Sequence, residues 1–411
     1  MEAVQVETIE GQDHQQSKKG TTFLRTCFNG LNALAGVGLL STPYALSEGG
    51  WLSLLLLFAV AALFFYTGLL LHRCMEANPL IRTYPDIGGV AFGWKGRTFI
   101  TILMCLELYF AAVEFLILVG DSFEKLFPNT TLFASAKLSL KQGFTILAAL
   151  VVLPTTWLKS LGLLSYVSAS GVFASIVVIC SVVWVGAVDG VGFHERGVLF
   201  HKSGLVTAVS MYSFCYCGHG VFPTLRNSMK DRSQFHKVLI ICFSLSTLGY
   251  GSMAILGYLM YGENIMSQVT LNLPLKKISS QIAIYATLIN PLTKYALIIT
   301  PVATSIEEKF PCFLTGRSIS IVTRTVLVLS TLIVALIIPF FGSVMSFIGS
   351  FLGIAVAILF PSICYLKLNG PCRRLGLELM ILALVLLVGS LIATVGTYDS
   401  VRRIIGELRS E

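Results

Sequence analysis

The chain has 411 residues, of which 55% are hydrophobic and only 12% are charged. Soluble domains carry about 25% charged residues, so this composition excludes an ordinary soluble protein and indicates an all-α protein embedded in a lipid bilayer. The formal net charge of +8 comes from basic residues in short loops between apolar runs, where they set topology, and we expect no nucleic-acid partner.

Runs of about 20 apolar residues, the length that crosses the hydrocarbon core, predict eleven membrane spans. The runs lie near residues 23–46, 51–72, 98–120, 142–157, 163–188, 203–225, 236–260, 280–304, 320–339, 343–366 and 376–397. Residues 1–20 are polar and predict a disordered cytosolic tail without a signal peptide. With this end cytosolic, most of the 29 Lys and Arg residues lie on the cytosolic side, which places residues 398–411 outside as a C-terminal tail.

The stretch from Asn29 to Leu46, within the first span, cannot be one smooth helix. Gly36-Val37-Gly38 places two helix-weakening glycines near its middle, and Pro43 follows five residues later. An interruption at membrane depth frees backbone groups, which must face protein or a cavity. Because a freed helix N-terminus attracts a carboxylate, we predict that this stretch is the substrate site of a secondary transporter.

The predicted cytosolic loop at residues 72–97 contains three pairs of residues that favour turns. The pairs are Asn78-Pro79, Tyr84-Pro85 and Gly88-Gly89. We expect this loop to cap the inner mouth of the site.

Three acidic residues lie at seven-residue intervals along the third span: Glu107, Glu114 and Asp121. This spacing places them on one slightly drifting stripe of a helix, roughly 21 Å long. Acidic residues inside a membrane usually face a cavity or the bundle interior. We therefore predict that Glu114, with Glu107, takes part in proton movement. The alternative is a structural role, as a partner of Lys294 or of hydroxyl groups in other spans.

The segment after the third span matches a glycosylation sequon at Asn129-Thr130-Thr131. The predicted topology places Asn129 outside the cytosol, where glycosylation can occur. None of the 10 cysteines lies in a predicted non-cytosolic loop, so we expect no disulfide framework there.

The sixth span repeats the interruption of the first. Gly218–Gly220 and Pro223 reproduce the pattern of Gly36–Gly38 and Pro43. Interrupted segments at corresponding positions of two halves are the best sequence pointer to a midplane binding site in an inverted-repeat transporter. The alternative is that both glycine motifs are close-packing surfaces between helices.

The offset of five spans predicts two repeats inserted in opposite senses. The first repeat would comprise residues 21–188 and the second residues 203–366, with the eleventh span at residues 376–397 outside them. Lys294 is the basic residue that lies deep inside a predicted span, the eighth, whereas Arg25, Lys237 and Arg324 lie within the first five residues of theirs.

Four segments of the chain together resemble one known family. They are TTFLRTCFNGLNALAGVGLLSTPYALSEGGW, ELYFAAVEFLILVGDSFEKLFPN, YCGHGVFPTLRNSMKDRSQF and NPLTKYALIITPVATSIEE. In this order they closely resemble the plant vacuolar amino acid transporter family, of the amino acid/auxin permease branch in the APC superfamily. The resemblance runs from about Gly20 to the end of the eleventh span. It implies a leucine-transporter-like fold with a 5+5 inverted repeat and eleven transmembrane helices, amino acid substrates and proton coupling.

An amino acid presents a carboxylate and an ammonium to such a site. We predict that the backbone amides of Gly36, Val37 and Gly38 bind the carboxylate at the start of the outer half-helix. Freed backbone carbonyl groups in the two broken spans are expected to bind the ammonium. These carbonyls lie at or near Asn32, Ala33, Ser213 and Phe214. Phe214 and Tyr216 are expected to shape the pocket for the substrate side chain.

Lys294 and His219 are further candidates for coupling. Sodium-driven members of this fold hold a cation between spans one and eight, so a Lys294 ammonium there is expected to replace sodium; the alternative is an ion pair with a glutamate of span three. Histidine is the side chain that ordinarily titrates near neutral pH, so we expect His219 either to couple protons or to cap the inner half of span six. Cys215 and Cys217 precede His219 at a spacing that suggests a metal site. The spacing falls within one helix break, and we expect no metal and no other cofactor.

No nucleophile elbow, P-loop or zinc-protease motif occurs in the sequence, so we expect neither an enzyme nor an ATP-driven pump. We predict a monomeric, proton-coupled amino acid transporter that works by alternating access. Its expected place is the vacuolar membrane, with another endomembrane or the plasma membrane as alternatives, and its expected mode is proton antiport into the lumen. Two alternative functions are an amino acid sensor that binds without net transport and a proton symporter that exports amino acids to the cytosol.

Overall fold

A computed structural model describes residues 20–34, 36–78, 80–130, 138–157, 164–308, 317–369 and 376–410. Throughout these ranges the regular structure is helical, apart from one isolated parallel bridge between Thr21 and Met229. The predicted N-terminal tail and the basic residues Lys159, Lys309, Arg373 and Arg374 lie outside the described residues.

Fourteen α-helices make up the described chain, and we number them in order. They are α1 Phe23–Leu34, α2 Gly38–Gly49, α3 Ser53–Ala77, α4 Tyr84–Leu126, α5 Leu140–Thr156, α6 Leu164–Ala187, α7 Leu205–Cys215, α8 Phe222–Ser228, α9 Phe235–Tyr261, α10 Ile278–Glu307, α11 Arg317–Ile337, α12 Phe341–Phe347, α13 Phe360–Asn369 and α14 Gly376–Ser410. Wider π-helical turns at Ile348–Gly353 and Ala355–Leu359 join α12 to α13 within the tenth span.

Nine segments of the described chain are long and apolar enough to cross a bilayer. The other two predicted spans fall short of that length: the first consists of two helices of 12 residues each, and the fourth is the 17-residue helix α5. The all-α membrane class is therefore confirmed, whereas the count of eleven crossings stays a prediction.

The two predicted interruptions are confirmed at the positions of the glycine motifs. The first span breaks between Leu34 and Gly38, and the sixth breaks between Cys215 and Phe222, with only a short 3₁₀ turn at His219–Val221 in between. The two breaks lie side by side, because α2 packs against α7. The unbroken helix α9 also packs against α2, and α10 packs against α4 and α6.

The predicted turns at Tyr84-Pro85 and Gly88-Gly89 are wrong, because both pairs lie inside α4. Proline fits the first helical turn, where its missing N–H costs nothing, and Thr83 and Asp86 complete a capping box at the start of this helix. The chain turns later, at Gly93, whose φ of +68° favours glycine.

The last helix is longer than its apolar run. The sequence predicts a span at residues 376–397 followed by a tail, but α14 continues to Ser410 and packs against α7 and α12. The polar end of α14 therefore reaches the outer part of the two broken spans.

Candidate functional site

A small cavity lies at the break of the first span. Its walls come from spans one, three, five and eight and are formed by Gly36, Val37, Leu39, Leu40, Leu118, Ser175, Val178, Thr287 and Asn290. Its volume is about 10 Å³, about the space that one water needs. An amino acid can enter only if the surrounding helices move apart, so this conformation is closed around the site.

The start of α2 borders this cavity and offers backbone amides to it. Val37 precedes the helix with φ −60° and ψ −27°, and no side chain among the described residues caps this helix start. The amides of Leu39 and Leu40 already bond the carbonyls of Gly36 and Val37, at 3.3 and 3.0 Å. Uncapped amides at a helix N-terminus suit an anion, which is the role predicted for residues 36–38.

The breaks of the first and sixth spans are in direct contact. The thiol of Cys215, at the end of α7, donates to the carbonyl of Gly38 at 3.6 Å, and a Cβ on Gly38 would lie 2.8 Å from this sulfur. Glycine at position 38 therefore allows the two half-helices to approach each other.

Tyr250 of α9 bridges both breaks, and the sequence did not point to it. Its hydroxyl lies 2.5 Å from the carbonyl oxygen of Leu34, at the end of α1, and 3.0 Å from that of Cys215, at the end of α7. The backbone amide of Gly36 lies beside the same hydroxyl. A tyrosine in an apolar span gives no sequence signal that it contacts a helix break. The glycines on either side of it, Gly249 and Gly251, are a weak signal of close packing.

The predicted ammonium ligands in the sixth span already take part in the turn that ends α7. The carbonyl of Ser213 accepts the Tyr216 amide at 3.2 Å, and the carbonyl of Phe214 accepts the Cys217 amide at 3.1 Å. The Ser213 hydroxyl donates within its own helix, to Val209 at 2.8 Å. A carbonyl has two lone pairs, and the Ser213 carbonyl uses the second for the Cys217 thiol at 3.4 Å. The Phe214 carbonyl can still accept from a ligand.

Tyr216 lies on the side of the break that faces span seven. It is fully buried, its hydroxyl lies 2.9 Å from that of Thr247, and its ring stacks on Phe243 with centroids 5.8 Å apart. If Tyr216 shapes the substrate pocket as predicted, it does so on the side of the pocket that faces span seven. Phe214 is half-buried and lies against the tenth span at Gly349.

Lys294 joins the eighth span to the first. Its ammonium donates to the carbonyl of Asn32 at 2.8 Å, in the last turn of α1, where the half-buried Ala33 also lies. The structure thus places the amino group of Lys294 between spans one and eight, and its role in place of a cation stays a prediction.

The acidic stripe of the third span divides into two parts. Asp121 forms an ion pair with Lys141 at 2.5 Å and accepts from Gln268 at 2.8 Å. Glu107 lies beside the Cys217 side chain, so it faces the break of the sixth span.

Glu114 is the deepest of the three acids. It is 0% exposed, and neither carboxyl oxygen has a hydrogen-bond partner among the described residues. It lies near Cys215, at the end of α7. An ionised carboxylate without donors at this depth would be very costly, so this conformation fits the protonated acid.

His219 is buried between the sixth and second spans, with 1% of its surface exposed. Its Nε2 lies 3.0 Å from the carbonyl oxygen of Phe64 and 3.0 Å from the hydroxyl of Thr67. Since the carbonyl can only accept, Nε2 carries the hydrogen, and Nδ1 is left as an acceptor with no partner among the described residues. This geometry holds the sixth span to the second and leaves one nitrogen able to take a proton.

The outer end of the first span is tied to the last helix. Arg403 of α14 forms ion pairs with Glu48 of α2 at 2.9 Å and with Asp399 at 3.2 Å, and Tyr44 donates to Glu48 at 2.7 Å. Asp399 also accepts from Thr207 of α7 at 2.9 Å. A cavity of about 300 Å³ beside these groups is lined by Tyr44, Ser47, Glu48, His201, Ser203, Gly204, Glu263 and Arg403.

The inner ends of the same two spans are joined by backbone hydrogen bonds. The Thr21 amide donates to the Ser228 carbonyl at 2.7 Å, and the Lys230 amide donates to the Thr21 carbonyl at 3.0 Å. Asn227 donates to the carbonyl of Arg82 at 2.8 Å, which brings the loop before α4 to this inner end as expected. Both ends of the broken spans are thus held closed.

The chain is similar to known proteins along nearly its whole length. Residues 19–402 match the family model described as transmembrane amino acid transporter protein. Amino acid transporter AVT1J of Arabidopsis thaliana is 49% identical over 397 residues, which cover 96% of this chain and 94% of that protein. Amino acid transporter AVT1I of the same plant is 47% identical over 402 residues, which cover 97% and 99%.

Two solved structures share the fold. MhsT in complex with L-phenylalanine has a TM-score of 0.56 at 14% identity and covers 91% of this chain and 99% of its own. Mhp1 in an inward-facing conformation has a TM-score of 0.60 at 14% identity and covers 95% and 92%. Both have the leucine-transporter fold that the family resemblance implies. The predicted family is confirmed, and it is a family of transport proteins rather than enzymes. The chain belongs to the transmembrane amino acid transporter protein family.

Proposed function

We propose that this protein transports amino acids by alternating access and couples their movement to protons. The single observation that carries the proposal is the meeting of the two interrupted spans, one from each half of the chain. The α1 and α7 ends present carbonyls at Tyr250, and the α2 start presents uncapped amides beside them. Carbonyls suit an ammonium and amides suit a carboxylate, so one zwitterion can engage both spans.

Alternating access needs a pair of closures that open in turn. At the outer end, α14 links the two spans, because Arg403 pairs with Glu48 of α2 and Asp399 accepts from Thr207 of α7. At the inner end, backbone bonds between Thr21 and Ser228 join the same two spans. Opening one end while the other stays closed would expose the site to one side at a time.

The proposed proton carrier is Glu114. Its carboxyl is buried at the break of the sixth span and lacks partners among the described residues, so a change in its charge would strongly alter the free energy of this packing. Glu107 and His219 are the nearest further candidates for a proton path. Lys294 would replace a coupling cation, so transport would need no sodium.

We further propose a vacuolar membrane with a cytosolic N-terminus and proton antiport into the lumen, on the basis of the resemblance of four segments to the plant vacuolar amino acid transporter family. Proton-coupled transport is tested with purified protein in proteoliposomes, a panel of labelled amino acids and an imposed pH gradient of either sign. Uptake that follows the gradient supports proton coupling, and its sign distinguishes antiport from export by symport. Binding without any uptake would identify the protein as a sensor instead.

A further inference from the structure

The hydroxyl of Tyr250 lies where three backbone groups of the two broken spans converge. It is 2.5 Å from the carbonyl of Leu34 and 3.0 Å from that of Cys215, and the backbone amide of Gly36 lies close by. Tyr250 is only 1% exposed and belongs to α9, which is not itself interrupted. Its side chain is therefore held by groups that the helix breaks release.

These three groups are better suited to a zwitterion than to a phenol. A hydroxyl has one hydrogen, so it cannot fully satisfy two carbonyls at once, whereas an ammonium has three. Both carbonyls also lie at helix C-termini, whose partial negative charge favours a cation. The amide of Gly36 belongs to the stretch that suits a carboxylate.

We propose that the Tyr250 hydroxyl is an internal stand-in for the substrate, which holds the ammonium subsite until the amino acid exchanges for it. The inference rests on the proposed function, and its residue, Tyr250, belongs to neither of the two broken spans. The stand-in keeps the carbonyls of Leu34 and Cys215 from being left without donors inside the membrane.

The exchange requires a movement of α9. A tyrosine hydroxyl lies on the axis of its ring, so a ring flip leaves it in place, and only a swing of the side chain or a shift of the helix removes it. Helix α9 packs against α1, α2 and α3. Ligand binding at the carbonyls would thus be transmitted to both halves of the first span.

The test uses Tyr250→Phe, which removes the hydroxyl and leaves the ring. Its matched control is Tyr295→Phe, because Tyr295 is also fully buried and ties two other spans through a 2.6 Å hydrogen bond to Thr331. Thermal unfolding of each purified protein is measured in methylammonium chloride, with tetramethylammonium chloride as the cation that has no N–H group. We expect methylammonium to raise the Tm of Tyr250→Phe by about 2 °C or more and to leave the wild type and the control unchanged.

The same variant is then tested with amino acids. We expect Tyr250→Phe to bind the transported amino acid about 3- to 10-fold more tightly than the wild type, since a competing donor has been removed. The methylammonium response needs no amino acid, so it stands even if the proposed transport function fails.

Two results would overturn the stand-in. One is a Tyr250→Phe protein that is less stable than wild type and gains nothing from methylammonium, which would make the hydroxyl a simple structural tie. The other is a failure of both Tyr250→Phe and the donor-retaining Tyr250→His to fold while Tyr295→Phe does. A contact that must be released in each transport cycle cannot be indispensable to the fold.

Discussion

The ammonium of Lys294 lies 2.8 Å from the carbonyl oxygen of Asn32, although the two residues are 262 positions apart. This hydrogen bond connects the eighth span to the last turn of α1, just before the first span breaks. A positive charge at a helix C-terminus is favourable, so a protonated Lys294 would stabilise the broken helix end without a bound cation.

Replacing Lys294 with methionine is expected to abolish uptake. The side-chain length is kept, but the Asn32 carbonyl loses its charged donor, at a cost of about 1–3 kcal/mol in a buried setting. Uptake into proteoliposomes is measured in sodium and in N-methylglucamine buffers. The matched control is Lys277→Met, which alters an exposed lysine at the outer end of α10. Wild-type uptake that stops without sodium would contradict the replacement of a cation by Lys294.

Replacing Glu114 with glutamine is expected to remove the pH dependence of uptake while the protein stays folded. Glutamine has nearly the same shape but cannot exchange a proton. The measurement is uptake at several pH values on each side of the vesicle membrane. A variant that retains the proton dependence of the wild type would rule Glu114 out as the carrier.

Asp121 is the control within the same stripe. Asp121→Asn weakens the ion pair with Lys141, so we expect a loss of about 1–3 kcal/mol in stability and an unchanged pH dependence of uptake. Thermal unfolding and uptake are measured on the same preparation. Loss of pH dependence in Asp121→Asn would assign coupling to the whole stripe.

Removing the Arg403 side chain is expected to loosen the outer end of α2. Arg403→Ala breaks the ion pair with Glu48, and the outer cavity, which Ser47 lines, should open more often. The measurement is the labelling rate of Ser47→Cys by a membrane-impermeant thiol reagent, compared in the presence and absence of Arg403→Ala. We expect Arg403→Ala to raise the labelling rate a few-fold. High salt should reduce the difference between the two labelling rates, because it screens the ion pair. An unchanged rate would show that this contact does not control access.

Adding a methyl group at Gly349 is expected to destabilise the protein. Gly349 lies in the π-helical part of the tenth span, directly against the backbone of α7 at Ser210 and Phe214, so Gly349→Ala should cost about 1–3 kcal/mol by overpacking. Gly249→Ala is the control, because the nearest atom to its added methyl is 3.9 Å away, on Ile179. Equal thermal stability of the two variants would contradict this close approach.

The residues of the site differ in how far the sequence could predict them. The breaks at Gly36–Gly38 and Gly218–Gly220 were predictable because glycine weakens a helix wherever its neighbours lie. Glu114 and Asp121 were indistinguishable by spacing, since both lie on one stripe, and only Lys141 and Gln268 separate their roles. Tyr250 went unnoticed because its partners are backbone carbonyls, which every residue has.

By itself the sequence determined the membrane class, the family and the positions of the two interruptions. In lipid a helix must satisfy its own backbone, so apolar length and glycine interruptions are local signals that need no knowledge of neighbours. Only the tertiary structure decided which groups meet at the breaks: Tyr250 with Leu34, Lys294 with Asn32 and Arg403 with Glu48. These pairs are 216, 262 and 355 residues apart, and their meeting depends on how the helices pack, which no local pattern encodes.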